Sequence, residues 1–250
     1  MSPADIALVA IAGLLCGMIN TIAGGGSLIL FPALLATGIP PLAANVTNSV
    51  AGWPGYIGGV VGFRRELAEQ RDRLYTLAAV TIAGATTGSI LLLVTPASAF
   101  DVLVPGLVLF ASVLVGVQPT LKRRIGPPTE GSPHARRVLL VSVFGATVYG
   151  GYFGGGLGII VLAVLTLTVP DTLRNLTALK CAVALLNSTV TVVIFGLFGP
   201  VRWEAVAVAV PTTLIGGYVG AGIARAVDEQ ALRAFIVTFG VVVAAYLAVR

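Results

Sequence analysis

Two runs of three glycines, Gly24-Gly25-Gly26 and Gly154-Gly155-Gly156, stand in otherwise apolar stretches and are the residues whose type and spacing most directly suggest chemistry. Glycine weakens a helix by roughly 1 kcal/mol per residue, so three in succession favour a break. A break leaves backbone N–H groups without intrahelical partners, and a helix that restarts beyond it aims its positive dipole end back at the break. Such a place suits an anion. The alternative is that the glycines only let helices approach closely, which is the better reading of Gly84-x-x-x-Gly88 and Gly216-x-x-x-Gly220. A nucleotide-binding loop at Gly154 to Gly158 would need a preceding strand and a soluble domain, and the sequence offers neither.

Small polar side chains cluster near these turns. Asn20, Thr21 and Ser27 flank the first, and Asn45, Thr47, Asn48 and Ser49 follow it. Asn175 and Thr177 follow the second, with Asn187 and Ser188 further along. Amides and hydroxyls can hold an oxyanion without burying a second charge, or they can hydrogen-bond between helices for about 0.6 kcal/mol each. Lys180 is the one ionisable residue clearly inside an apolar segment. Its ammonium either pairs with an anionic substrate or snorkels to the interface. With Asn20, Thr21, Ser27, Asn45, Thr47, Asn48, Asn175, Thr177 and Asn187, the two glycine triplets and Lys180 make up the candidate substrate-binding set. No Asp, Glu or His lies within an apolar segment, so neither a carboxylate proton relay, nor a metal site, nor an enzyme reaction is expected, and no cofactor is implied. Cys16 and Cys181 lack a ligand-pair spacing and read as packing residues.

The elements that must position these residues belong in a bilayer. Of 250 residues, 57% are hydrophobic and 10% charged, against about 25% charged in an ordinary soluble domain. The net charge of +5 comes from Lys and Arg in short loops, which indicates membrane orientation rather than a face for nucleic acid. The N-terminal segment lacks a basic start and is expected to remain in the mature protein. Eight apolar blocks can be read, and the two broken by glycine, about 5–39 and 138–169, exceed one span. Beyond each break only about thirteen apolar residues remain before Pro40 or Pro170, the length of a re-entrant half-helix. A further break is expected at Trp53-Pro54-Gly55.

Shifting the chain by 130 residues matches Gly24 through Thr47 with Gly154 through Thr177 at nine of twenty-four positions. That is a tandem duplication, with repeats at 1–118 and 138–250 joined by a cytoplasmic linker, 119–137, rich in Pro, Gly and basic residues. If each broken block is a hairpin returning to its starting side, thirteen basic residues fall on one side and two on the other. Single crossings would give eleven against four, so the positive-inside rule favours inverted repeats. The expected fold is an all-α polytopic membrane protein of two inverted repeats, each a glycine-tipped re-entrant hairpin plus three transmembrane helices. Paired broken helices in inverted repeats point to a secondary transporter with its site near the midplane.

Gly17-Met-Ile-Asn20-Thr-Ile-Ala-Gly-Gly-Gly26-Ser27 with Pro32, Tyr149-Gly-Gly-Tyr-Phe-Gly-Gly-Gly156, Asn175-Leu-Thr-Ala-Leu-Lys180 and Gly216-Gly-Tyr-Val-Gly220-Ala-Gly222 together resemble the sulfite exporter TauE/SafE family of membrane permeases. The resemblance runs over essentially the whole chain. It implies a multi-pass protein of the bacterial inner membrane that exports sulfite or a related organosulfur anion such as a C2 sulfonate. A channel or carrier for another small anion, or a non-transporting scaffold, are the other functions to weigh. The expected partners are a small anion and the lipid bilayer.

Overall fold

The computed structural model describes residues 1–22, 24–124, 133–223 and 229–249, and every regular element among them is a helix. Among the described residues, four helices are long and apolar enough to cross a membrane: Pro3–Ile22, Arg71–Val94, Ala97–Leu114 and Leu173–Phe198. The first glycine run separates α1 (Pro3–Ile22) from α2 (Ser27–Ala36), and the second separates α7 (Pro133–Tyr152) from α8 (Leu157–Thr168). At 10 and 12 residues, α2 and α8 are the expected short helices. The backbone needs glycine here: Gly24 and Gly154 have φ near +77° and +76°, a region that side-chain-bearing residues rarely enter.

Between the two broken pairs lie α3 (Pro41–Gly62), a short α4 (Arg64–Ala68), α5 (Arg71–Val94) and α6 (Ala97–Arg124). The chain ends with α9 (Leu173–Phe198), α10 (Trp203–Ile223) and α11 (Glu229–Val249). Two local outcomes differ from the sequence reading. Pro54 does not break α3, which stays helical through it. Lateral packing compensates for the hydrogen bond that proline cannot donate, because α3 lies against α1, α9 and α10. The second outcome is α4, too short to show a period in sequence, which sits against α9. Of the expected linker 119–137, the flanking residues extend α6 and α7, while 125–132 lie outside the described residues.

Close helix contacts are made through glycine. A Cβ on Gly17 would come 2.1 Å from the Thr213 carbonyl oxygen, and one on Gly216 would come 2.0 Å from that of Leu14, so α1 and α10 touch backbone to backbone. Gly88 does the same to Val148, joining α5 to α7. These contacts match the close-packing reading of both Gly-x-x-x-Gly pairs. At one end of the bundle an open pocket gathers the start of α1 (Ser2, Asp5), the end of α2 (Thr37, Ile39) and the start of α10 (Trp203, Glu204). At another place the starts of α5 and α9 are tied by Arg73 to Asp171, and α4 is tied to α9 by Glu66 to Arg174.

Candidate functional site

The first glycine turn closes on itself. Gly24 N–H donates to the Ile19 carbonyl at 2.8 Å, and the Asn20 side-chain Oδ1 accepts from Gly25 N–H at 3.3 Å and Gly26 N–H at 2.8 Å. Thr21 Oγ1 lies within 3.2 to 3.3 Å of the carbonyl oxygens of Gly17, Gly55 and Gly217, fastening α1 to α3 and α10 at one point. In the second turn Gly154 N–H donates to Tyr149 at 3.4 Å and Leu157 N–H to Gly154 at 3.4 Å. Among the described residues, nothing accepts from the N–H groups of Gly155, Gly156 or Gly158.

The two turns meet. A Cβ on Gly24 would stand 3.1 Å from Gly158 Cα, so the first turn rests directly on the first turn of α8. Lys180 of α9 lies against the same spot, its Cδ and Cε 3.6 and 3.9 Å from where a Gly158 Cβ would be. The Lys180 side chain is 1% exposed and its Nζ has no hydrogen-bond partner. The side chain therefore stays inside the bundle and does not reach its surface. Among the described residues no acid forms an ion pair with Lys180, and a cation beside the positive end of a helix gains nothing from that dipole.

Next to this contact is a small polar cavity of about 20 Å³. α3 supplies Asn48, Ser49, Gly52 and Tyr56, while α9 supplies Asn187, Ser188 and Thr191. Ser27 closes it from the first broken pair, and Gly150, Gly154 and Leu157 from the second. Asn48 and Asn187 are 1% and 2% exposed, and the Oδ1 of each lacks a partner. Lys180, Asn187 and Thr191 share one face of α9, since offsets of seven and eleven residues return a helix to nearly the same azimuth.

Of the residues named from sequence, the turns thus bring together Gly24, Ser27, Asn48, Gly154, Lys180 and Asn187, with Gly155 and Gly156 in the second turn. Others lie elsewhere. Asn45 Nδ2 donates to the Tyr152 carbonyl at 2.9 Å, and Thr47 Oγ1 accepts from Arg202 N–H at 3.0 Å. Asn175 Nδ2 donates to Asp171 at 2.7 Å, and Thr177 is half-buried with its hydroxyl on Leu173 O. Asn20, Gly25 and Gly26 bond one another. Sequence reasoning missed Gly52, Tyr56, Gly150 and Thr191. The signal available was register: Asn48, Gly52 and Tyr56 step by four along α3, as Asn187 and Thr191 do along α9.

Beyond Lys180, toward the start of α9, a charged cluster spans α4, α5 and α9. Asp171 accepts from Arg73, Asn175 Nδ2 and Thr172 N–H. Burial pushes its carboxyl up, but the hydrogen bonds from Asn175 and Thr172 and the Arg73 charge outweigh that and hold it below its ordinary value. Glu66 is held low by a bond to its own backbone N–H and, against desolvation, by Arg174. Gln70 crosses the cluster, donating to the carbonyls of Glu66 and Asn175.

The family described as sulfite exporter TauE/SafE matches residues 9–247 of this chain. The chain belongs to the TauE/SafE family. Curated proteins similar to this TauE/SafE chain are named as probable membrane transporters. One from a Sinorhizobium species is 27% identical over 96% of this chain and 90% of its own length. Another, from Haemophilus influenzae, is 28% identical over 93% of this chain and 90% of its own length. The protein YfcA of Escherichia coli K12 is 28% identical over 99% of this chain and 91% of its own length. No solved structure matches the chain. This TauE/SafE protein is a membrane transporter, an all-helical multi-pass protein of the cell membrane.

Proposed function

We propose that this TauE/SafE transporter is a secondary permease that exports a small sulfur oxyanion or organosulfonate, sulfite or a C2 sulfonate being the representative cargo. The anion sits where the two glycine turns meet. One observation carries this reading: Lys180, 1% exposed and without a hydrogen-bond partner, lies against Gly158 in the first turn of α8. A lone ion inside a membrane costs at least a few kcal/mol, and the adjoining helix dipole adds to the cation's field instead of offsetting it. An anion placed there would be met by an ammonium, by N–H groups and by the amides of Asn48 and Asn187.

The duplicated halves, 1–118 and 138–250, are read as inverted repeats about a cytoplasmic linker. The ends of α1 and α2 that lie together, around the pocket of Asp5 and Ile39, support a first hairpin that returns to its starting side. Purified protein challenged with sulfite, ethanesulfonate, sulfate and acetate tests the cargo. Sulfite or the sulfonate should bind in wild type and weaken at least about tenfold in Lys180→Gln, a change of ~1.4 kcal/mol. Preference for acetate would instead favour a carrier of other small anions, and no binding by any of the four would leave the scaffold reading standing.

A further inference from the structure

We infer that the two glycine turns are not equivalent: the second holds the anion, and the first is a fixed buttress whose keystone is Asn20. The inference rests on the anion-transport reading above and narrows it to one of two related turns. The repeat mate of Asn20, at a shift of 130, is Gly150. In the first turn the Asn20 amide oxygen occupies Gly25 N–H and Gly26 N–H, so those donors face inward to their own helix. In the second turn Gly150 has no side chain to do this, and among the described residues the N–H groups of Gly155, Gly156 and Gly158 have no acceptor. Where the missing side chain would begin, the neighbours are the Leu157 methyls at 2.7 Å and Asn187 Nδ2 at 3.1 Å.

Unpaired N–H groups alone would not make a site, since every helix start has them. Here two buried side chains converge on the same turn without partners. Lys180 rests on Gly158, and Asn187 lies beside Gly150 with its Oδ1 unpaired. Both come from α9, which therefore belongs to the binding half. The first turn has no comparable neighbour: the position matching Lys180 is Val50, and a Cβ on Gly26 would run into the backbone of Cys16 at 2.1 Å. The buried charge and the free donors of Gly155, Gly156 and Gly158 thus fall on the second turn, with the unpaired amides of Asn48 and Asn187 lining the cavity beside it, and the first turn supplies a rigid surface through the Gly24 to Gly158 contact.

The two roles separate under a change of charge. A carboxylate in place of Asn20 can still accept from Gly25 and Gly26 N–H beside a helix N-terminus, whereas one in place of Asn187 sets a negative charge against the bound anion. With sulfite and ethanesulfonate as probes on the purified full chain, Asn20→Asp should keep affinity within about threefold and Asn187→Asp should lose at least about tenfold. Equal losses in two folded variants, judged by unchanged melting, would overturn the inference, as would unchanged affinity in Asn187→Asp. A measurement on wild type stands independent of variant folding. In 15N-glycine-labelled protein, sulfite should shift the amide resonances of Gly155, Gly156 and Gly158 and leave Gly25 and Gly26 in place. Shifts at Gly25 and Gly26 instead would overturn the asymmetry while sparing the anion site, and binding of neither probe to wild type would overturn both.

Discussion

Lys180 states the requirement of the site at its smallest scale. Its side chain is enclosed, its Cδ and Cε lie against the start of α8, and among the described residues its Nζ has no hydrogen-bond partner, so under the proposed function the anion is what balances it. Charge alone does not satisfy the geometry, because a guanidinium is planar and larger than an ammonium and Gly158 leaves little room. Lys180→Arg should therefore bind sulfite better than Lys180→Gln but below wild type, in titrations run beside expression and melting controls. An Arg variant equal to wild type would mean the position tolerates any cation and that contact with Gly158 is incidental. Legibility at this scale is partial. Lys180, Asn48 and Asn187 are visible as polar residues in apolar segments, but Asn45, Thr47, Asn175 and Thr177 carry the same signal. Composition marks a buried polar group without saying which neighbour will satisfy it. That is settled by contacts such as Asn45 to Tyr152, made across 107 residues of chain.

At the scale of elements, the helices are spaced by glycine. Gly17 against Thr213 and Gly88 against Val148 hold backbones so close that an added methyl would meet a carbonyl oxygen at 2.1 and 2.0 Å. Neither backbone can yield as a flexible side chain would. Gly17→Ala and Gly88→Ala should each destabilise the protein by about 1–3 kcal/mol, the usual cost of overpacking. Gly145 is the control, an exposed position in α7 where an added methyl would find nothing within 4 Å. There alanine should be neutral or stabilising by up to about 1 kcal/mol, through helix propensity. Melting of the three variants in detergent checks both signs. The same scale explains why Pro54 misleads: proline's local penalty is the same everywhere, but α3 is held on three sides. Helix α4 escapes notice for the opposite reason, five residues being too few for any period to emerge.

At the scale of the molecule, one polar cluster joins segments that are distant in the chain. The cluster of Glu66, Arg73, Asp171, Arg174, Gln70 and Asn175 binds residues about a hundred positions apart. Both carboxyls sit below their ordinary values, so the stability they contribute is complete above the unfolded carboxylate range near pH 4 and is lost as pH falls through the lower folded values. Wild type should thus lose more melting temperature between pH 7 and pH 3 than the doubly neutral Glu66→Gln/Asp171→Asn variant. Equal losses would show that the cluster does not hold the two segments together. Orientation is the second test at this scale. Under the inverted arrangement, cysteines introduced at Gln70 and Asp171 should label from one side of the membrane and those at Gly38 and Gly199 from the other. Labelling of Gly38 and Asp171 from the same side would return the repeats to parallel.

What the sequence determined by itself were the quantities that depend on neighbours along the chain. Apolar length, glycine breaks, the short α2 and α8 and the 130-residue repeat all follow from local propensity and hydropathy, which act wherever the residues stand. The tertiary structure alone decided which related residues would do related work. Asn20 has the composition of a ligand and spends its oxygen on its own turn, while Gly150, its mate, carries no polar signal and leaves the second turn open. Asn45 and Asn175 match in the repeat and bond to different partners, Tyr152 and Asp171. The reason is the reach of the forces. Burial of apolar surface is additive and almost directionless, so a one-dimensional pattern records it. A hydrogen bond or an uncompensated charge is decided within about 3 Å, and only the folded packing of α3, α8 and α9 sets those distances.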